Sequence, residues 1–271
     1  MPVAELIRYF NAADRAADGQ LYSNGARVEA WHGGLRLGSL FQPIVDLRSE
    51  RVVGHQAMLA ARRDDGTPVG RETAYNLCET GQAVVHFDRL CRTLHALNFL
   101  AQRRSTGGYL QLSVHPRHLL AVQSQHGLVY EAILKRCGLA PDDIVLEINA
   151  AGFDPAGHFA HALEGYRLRG YRLALSIPPG WQQPVEAILG LQPDILRLSA
   201  RHVDLENAAR SAGLPVEITG IDSGADFRDA RSDGIELAQG SLFGDPAVDC
   251  RPTHSPSRNP YNPLSPNGVR P

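Results

Sequence analysis

The chain has 271 residues, of which 43% are hydrophobic and 21% are charged, so it can bury one large core or at most two small ones. Its formal net charge of -2 excludes a strong general attraction to nucleic acid or to an anionic membrane. No run of about 18 apolar residues occurs, which argues against a membrane span. Charged residues near the N-terminus, such as Glu5 and Arg8, argue against a secretory signal.

The first elements precede a change in pattern near residue 40. Residues 3–17 place Leu6, Ile7 and Phe10 on one helical face, which predicts a short amphipathic helix. Asn24-Gly25 predicts a turn, and a strand-like segment follows it. From residue 40 onward, short apolar runs typical of strands recur at 41–47, 51–59, 108–114, 143–149, 171–177, 193–199, 215–221 and 235–243.

Longer stretches between these runs have helical spacing, as at Phe87, Leu90, Leu94 and Leu97. Strands that alternate with helices indicate βαβ units and a mainly parallel sheet. About eight such runs fit an α/β fold of the TIM-like (β/α)8 barrel class, with a doubly wound open sheet as the alternative. Only residues 48–50 separate the first two runs, so no crossover helix fits there and the pair is predicted to be an antiparallel hairpin.

Three regions are predicted along the chain. Residues 1–38 form a helix and a hairpin-like lead-in, and residues 39–250 form the barrel. Residues 251–271 are rich in Pro, Ser and Asn, and such a segment buries too little apolar surface to become ordered. We expect a disordered tail there, with a short proline-rich binding motif as the alternative.

Cysteines and histidines give no metal signature. Cys78, Cys91, Cys137 and Cys250 form no CxxC pair, so we expect buried or incidental thiols in a reducing cytoplasm. His115 and His118 have the i,i+3 spacing that brings two imidazoles together on a helix. No third ligand follows nearby, so we expect surface histidines.

Several segments, taken in order, resemble one known family. FQPIVDL followed by GHQAML, then LSVHPRHLL, IVLEIN, PDILRLS, PVEITGID and LAQGSLFGDP, is similar to the motif series of the EAL family, the cyclic-di-GMP phosphodiesterases of bacteria. The resemblance covers about residues 40–250. It implies a barrel with one antiparallel strand, which agrees with the hairpin argument above.

The family is understood to linearise cyclic di-GMP with two divalent cations, Mg²⁺ or Mn²⁺, held by carboxylates at the C-terminal ends of the strands. The resemblance allows each of these positions to be compared with this chain. Glu147 is retained. The other ligand and base positions carry different residues, namely Gln56, Ser113, Asn149, Ser176, Ile177, Arg197, Ser199, Thr219 and Asp222.

These replacements predict a catalytically inactive member that lacks a metal cofactor. Two cations would face at most two carboxylates, Glu147 and the shortened Asp222. Arg197 stands where the resemblance implies a general-base lysine, and an arginine stays protonated in proteins.

Ligand binding is a separate question from catalysis. The resemblance points to Gln42, Arg62, Glu147 and Gln239 as candidate ligand-binding residues. The family's phosphate-contacting arginine corresponds to Ala60, and Arg62 or its neighbour Arg63 is the candidate substitute.

Three functions follow from this comparison. The leading hypothesis is a regulatory protein that acts by protein–protein contact, as several degenerate members of the family are thought to do. The first alternative is a non-hydrolysing cyclic-di-GMP receptor. The second is a residual phosphodiesterase that uses Glu147 and Asp222. Nucleic acid and membrane partners are not expected, and a homodimer remains open.

Overall fold

The computed structural model describes residues 3–13, 19–106, 108–122, 127–151 and 157–251. The end of the helix predicted over 3–17 and the predicted tail from residue 252 lie outside the described residues. The strands are β1 (Gly19–Asn24), β2 (Arg27–His32), β3 (Leu35–Asp46), β4 (Arg51–Arg62), β5 (Pro68–Val69), β6 (Tyr109–Val114), β7 (Ile144–Asn149), β8 (Arg172–Ile177), β9 (Ile195–Leu198), β10 (Val216–Thr219) and β11 (Leu237–Gln239). The helices are α1 (Val3–Ala13), α2 (Arg71–Asn76), α3 (Gly81–Thr106), α4 (Pro116–Ala121), α5 (Leu128–Cys137), α6 (His158–Arg167), α7 (Val185–Leu189), α8 (Val203–Ala212) and α9 (Gly224–Ser232), with a 3-10 turn at Pro141–Asp143.

Eight strands close into a barrel in the order β3-β11-β10-β9-β8-β7-β6-β4, with β4 pairing back to β3. Strand β3 is antiparallel to both of its neighbours, and the other pairs around the barrel are parallel. The predicted TIM-like barrel with one antiparallel strand is therefore confirmed. Closure of the sheet excludes the doubly wound alternative.

The antiparallel hairpin depends on a tight connection between β3 and β4. The carboxylate of Asp46 accepts hydrogen bonds from the backbone N and the Oγ of Ser49, at 2.6 and 2.8 Å. Glu50 completes the turn with a φ of 55°, a left-handed conformation that few residues other than glycine adopt. Asp46 thus reverses the chain immediately after the strand, and β4 returns beside β3.

The N-terminal elements pack on the barrel. The predicted helix α1 buries Leu6, Ile7 and Phe10, and Gly25 makes the predicted turn between β1 and β2 with a φ of 60°. Strand β2 pairs with β3, so the lead-in strands continue the barrel's own sheet. A boundary between a lead-in over 1–38 and a barrel over 39–250 stays a prediction, since β3 crosses it without a break.

A buried amide fastens this lead-in to the long helix α3. Asn98 is 3% exposed. Its Oδ1 accepts from the backbone N of Val28 at 2.9 Å, and its Nδ2 donates to the carbonyl of the same residue at 2.8 Å. Both backbone groups of Val28 that point away from β1 are therefore satisfied by one side chain, as buried polar groups require.

Helix α3 also carries a buried carboxylate. Asp88 is completely buried and lies 2.6 Å from Nη2 of Arg92 and 3.1 Å from Nδ1 of His118. It accepts hydrogen bonds from the hydroxyl of Tyr75 at 2.8 Å and from the backbone N of His115 at 3.2 Å. The expectation of surface histidines was wrong for His115 and His118, because α4 turns this face onto α3.

The barrel closes with a very close approach of two chain segments. A methyl group at Gly240, just after β11, would lie 2.0 Å from the carbonyl oxygen of Ile221, which follows β10. Real Cβ atoms do not come this close to backbone, so only glycine fits.

All four cysteines are buried. No helix within the described residues is long and apolar enough to cross a membrane.

Candidate functional site

The site lies inside the barrel and is organised around Glu147. This residue is on β7, directly opposite Ser113 on β6. The Oγ of Ser113 donates to Glu147 Oε2 at 2.6 Å. The amide of Gln56, on β4, donates to the same oxygen at 2.7 Å. Gln56 and Ser113, at positions where the resemblance implies metal ligands, therefore act as hydrogen-bond donors to Glu147.

The guanidinium of Arg197, on β9, fills the space beside this carboxylate. Its Nη1 donates to Glu147 Oε1 at 2.8 Å, and its Nε donates to Glu217 Oε1 at 2.9 Å. Its Nη2 donates to the amide oxygens of Gln56 at 3.0 Å and Gln239 at 2.5 Å. All three nitrogens of the guanidinium are engaged, so this side chain joins five strands through charge-assisted hydrogen bonds.

Glu217 is the second carboxylate of the interior. It is on β10, opposite Arg197 in the register of the sheet, and it is completely buried. With its amide oriented to suit both neighbours, Gln111 donates to Glu217 Oε2 at 3.2 Å and accepts from Arg197 Nε at 3.3 Å. Arg197 is 12% exposed and Glu147 is 11% exposed at their side chains, so the three charges are largely shielded from water.

The protonation of the cluster follows from burial and charge. Burial acts to raise the pKa of Glu147, but the charge of Arg197 and the hydrogen bonds from Ser113 and Gln56 outweigh it, so this pKa lies below its ordinary value. Complete burial raises the pKa of Glu217 above its ordinary value, although Arg197 acts against this. Burial acts to lower the pKa of Arg197, but the two carboxylates more than compensate and raise it. Arg197 and Glu147 thus form a charged pair. As the pH falls, Glu217 takes up a proton before Glu147 does, because its pKa is raised and that of Glu147 is lowered.

The donors of the interior do not fit a pair of divalent cations. Mg²⁺ and Mn²⁺ prefer several oxygen ligands, chiefly carboxylates. Here the two carboxylates contact a guanidinium at 2.8 and 2.9 Å, so a permanent positive charge lies between the oxygens that a cation would need. Among the residues that the structure describes, no group of three or more His, Cys, Asp or Glu side chains is placed to hold a metal ion.

Of the remaining predicted positions, Ser176 lies beside the cluster, and the others make their contacts elsewhere. Asp222 is exposed, and its carboxylate accepts from the backbone N and the Oγ of Ser241, each at 2.8 Å. Thr219 donates to the carbonyl of Leu198 at 3.4 Å, and Ser199 is exposed. Ile177 is buried, Ser176 lies opposite Arg197 on the neighbouring strand, and Asn149 accepts from the backbone of Ala151.

The four candidate ligand-binding residues divide into two groups. Glu147 and Gln239 both contact Arg197. Gln42 pairs in register with Gln56 but donates to the carbonyl of Gly244 at 3.2 Å. Arg62 is exposed and lies six residues beyond Gln56, about 20 Å along an extended strand, so it is not brought to the cluster.

Sequence reasoning missed Glu217 and Gln111. Each stands between apolar residues in a short strand, as in Val216-Glu217-Ile218. Strands of a parallel barrel are buried on both faces and are typically apolar throughout. A charged residue in the middle of such a strand was the available signal.

Solved structures share this fold. BlrP1 from Klebsiella pneumoniae, solved with calcium and cyclic di-GMP, is 18% identical with a TM-score of 0.67, over 91% of this chain and 66% of that one. YkuI from Bacillus subtilis, solved with cyclic di-GMP and calcium, is 17% identical with a TM-score of 0.67, over 80% of this chain and 57% of that one. A standalone EAL protein from Vibrio cholerae O395, solved with cyclic di-GMP bound, is 18% identical with a TM-score of 0.61, over 80% of this chain and 95% of that one.

At these identities the likeness shows the fold alone, and this chain spans less than two thirds of the length of the first two proteins. No curated protein matches the sequence. The EAL domain family model matches residues 29–246, most of the chain. The chain therefore belongs to the EAL domain family, whose setting is cyclic-di-GMP signalling.

Proposed function

We propose that this chain is a non-hydrolysing EAL-domain protein that regulates another protein by direct contact. One observation carries the first half of this proposal: the guanidinium of Arg197 lies between Glu147 and Glu217 and bonds to both. The arginine takes the role of counter-ion that metal cations would otherwise have in the barrel.

Hydrolysis by two metal ions needs carboxylate oxygens to hold the cations and a group to accept the proton of the attacking water. A cation beside Glu147 would meet the charge of Arg197 in a water-poor interior, where like charges repel strongly. Arg197 cannot accept a proton, because a guanidinium stays charged in proteins. Asp222, the other carboxylate of a residual enzyme, is already bonded to Ser241. We therefore do not favour the residual phosphodiesterase.

The second half of the proposal concerns the partner. The barrel has all eight of its strands, and its interior charges pair with one another. These features suit a scaffold that binds a partner through its surface. Four free cysteines fit a reducing compartment, so we place the protein in the cytoplasm, with another protein as its partner and no metal cofactor.

The test is an assay of cyclic di-GMP hydrolysis by the purified full chain, with Mg²⁺ and separately with Mn²⁺. We expect no product above the buffer blank. The matched variant is Arg197→Lys. A lysine also carries a positive charge, but unlike an arginine it can release its proton and then act as a base. Turnover by the unaltered chain that disappears in Glu147→Gln contradicts the proposal. A pull-down with the full chain as bait, repeated with the soluble barrel of an active relative, tests for a protein partner; equal capture by both contradicts a specific partner.

A second candidate is a non-hydrolysing receptor for cyclic di-GMP. The observation that favours it is a cavity beside the cluster, lined in part by Gln56 and Ser113. The structurally similar proteins above were solved with this dinucleotide. Calorimetry with cyclic di-GMP in the absence of divalent cations separates the two candidates. Saturable heat favours the receptor, and its absence up to about 100 μM, an interaction of roughly -5.5 kcal/mol, eliminates it.

A further inference from the structure

A second cavity, of about 320 Å³, lies between the N-terminal elements and two helices of the barrel. Its walls come from α1, from β1 and β2, from α3 and from α5. Among the described residues, it shares no lining residue with the cavity beside Gln56 and Ser113. Both α1 and β1 precede residue 29, where the match to the family begins. The cavity is therefore a feature of this chain in addition to the family's barrel, and its volume is at the lower end of the range for small-molecule pockets, about 300–1,000 Å³.

Apolar side chains form much of the wall. Phe10 of α1 and Leu21 of β1 are buried, and Ile133 of α5 is half-buried. Tyr9 and Val129 also line the cavity and are 40% and 45% exposed, so the space opens to solvent between α1 and α5. An apolar molecule that enters it leaves water for an apolar surface, which is favourable.

Two contacts hold α1 in place over this space. The Oδ1 of Asn11 accepts from the backbone N of Leu21 at 2.9 Å, and its Nδ2 donates to the carbonyl of Leu21 at 2.8 Å. On the side of α5, the Cζ of Arg136 lies 4.3 Å from the ring centroid of Tyr9. The helix is thus fixed to both β1 and α5, and the cavity is formed before any ligand arrives. A preformed site binds without the cost of ordering its own walls.

The polar part of the lining favours an anion. Arg89 of α3 is half-buried and lines the cavity with a permanent positive charge. His86 lies one turn before it on the same face of the helix and also lines the cavity. The hydroxyl of Thr93 is used within the helix, where it donates to the carbonyl of Arg89 at 2.8 Å. No Asp or Glu is among the described residues of the lining. The cavity therefore combines an apolar wall with positive charge on one helix.

We propose that this cavity binds an apolar monocarboxylate of the medium-chain fatty acid class, with its carboxylate toward Arg89 and its apolar part between α1 and α5. Burial of the apolar part supplies affinity, at about 25 cal/mol for each Å² removed from water. Contact between carboxylate and guanidinium adds a charge-assisted hydrogen bond and fixes the orientation. This inference goes beyond the proposed function and does not depend on it.

The test is calorimetry and thermal melting of the full chain with three probes: sodium octanoate, 1-octanol and sodium acetate. Octanoate has both the apolar chain and the carboxylate, and each of the other probes has only one of them. We expect saturable binding of octanoate, about tenfold or more tighter than that of octanol because of the charged hydrogen bond. Octanoate should also raise the Tm, since it binds the folded chain. Acetate should not bind in the same concentration range.

Arg89→Gln tests the assignment of the carboxylate. The change removes the positive charge, so the affinity for octanoate should fall about tenfold, to that for octanol. The affinity for octanol itself should stay the same. Arg228→Gln is the matched control, because Arg228 is an exposed arginine on α9 that does not line the cavity. It should bind octanoate as the unaltered chain does.

Ala132→Leu tests the location of the apolar part and does not disturb the core. Ala132 is an exposed residue of α5 that lines the cavity, so a leucine there fills part of the space. It should weaken the binding of octanoate and octanol alike, by about tenfold, because the ligand becomes overpacked. The ligand-free Tm should be nearly unchanged, since leucine is a good helix former. Ala225→Leu, at an exposed position on α9, is the control and should keep full binding.

Four results overturn the proposal. They are no saturable binding of octanoate by the unaltered chain, binding of octanol as tight as that of octanoate, equal octanoate affinity in Arg89→Gln and Arg228→Gln, and unchanged binding in Ala132→Leu. None of them bears on hydrolysis of cyclic di-GMP. Failure of this inference is therefore distinguishable from failure of the proposed function.

Discussion

Arg197 and Glu217 lie opposite each other on adjacent parallel strands, and the Nε of the arginine donates to Oε1 of the glutamate at 2.9 Å. The pairing of β9 with β10 positions the side chain of Arg197. Its Nη1 then donates to Glu147, and its Nη2 donates to Gln56 and Gln239. The ion pair is therefore set by the register of the barrel, and Arg197 favours the charged form of Glu217 against the effect of burial.

Arg197→Met tests how much the barrel depends on this guanidinium. The change leaves two buried carboxylates without their counter-ion, and breaking a buried pair in this way costs about 3–5 kcal/mol of unfolding free energy. Urea denaturation measures the loss. Arg62→Met, at an exposed position, should change stability by less than about 0.5 kcal/mol. Adding Glu217→Leu to Arg197→Met should recover part of the loss; a further decrease would contradict the assignment.

Asp88→Asn tests the buried carboxylate of α3 through pH. Burial acts to raise the pKa of Asp88, but Arg92, His118 and the hydrogen bond from Tyr75 hold it at about 2. A carboxyl with a depressed pKa stabilises the fold above its unfolded pKa of 3.8 and loses that contribution as pH falls toward 2.

The unaltered chain should therefore lose roughly 2 kcal/mol from this group between about pH 4 and pH 2, and Asp88→Asn should lack this component. Unfolding free energies measured at steps of pH give the difference between the two proteins. Asp204→Asn, at an exposed position on α8, is the control and should keep the slope. A parallel pH profile for Asp88→Asn and the unaltered chain would show that Asp88 does not titrate in this range.

Much of the fold follows from the sequence. The alternation of short apolar runs with helical stretches predicts the barrel, and the short connection at residues 48–50 predicts its antiparallel strand. The interior is harder to derive, because Glu217 and Gln111 resemble solvent-facing residues until the sheet closes and buries both faces.

Asn98→Leu tests the attachment of the N-terminal strands. The substitution keeps a similar volume but removes both hydrogen bonds to the backbone of Val28, which should cost about 1–3 kcal/mol for each buried group left unsatisfied. Hydrogen exchange at the amide of Val28 should accelerate, while amides of β7 keep their protection. Asn207→Leu, which removes only an exposed bond to Arg210, is the control. Unchanged exchange at Val28 in Asn98→Leu is the contrary outcome.

Gly240→Ala tests the closing turn of the barrel. The added methyl would lie 2.0 Å from the carbonyl oxygen of Ile221, and backbone must move to admit it, so we expect a loss of about 3 kcal/mol or more. Gly38→Ala on β3, where the nearest atom is 4.0 Å away, should be close to neutral or slightly stabilising. Thermal melts of the two variants give the comparison, and similar Tm values would argue against the close approach.

The close approach at Gly240 also bears on how a sequence is assigned to this family. Gly240 belongs to the closing QGSLFGDP stretch that matches the family, yet its identity follows from the distance between two backbone segments and needs no ligand at all. The motifs of the family thus contain residues required by the geometry of the chain alongside residues required for catalysis. A family match that rests mainly on residues required by chain geometry shows a shared fold. Catalytic activity has to be judged separately, from the side chains that line the interior.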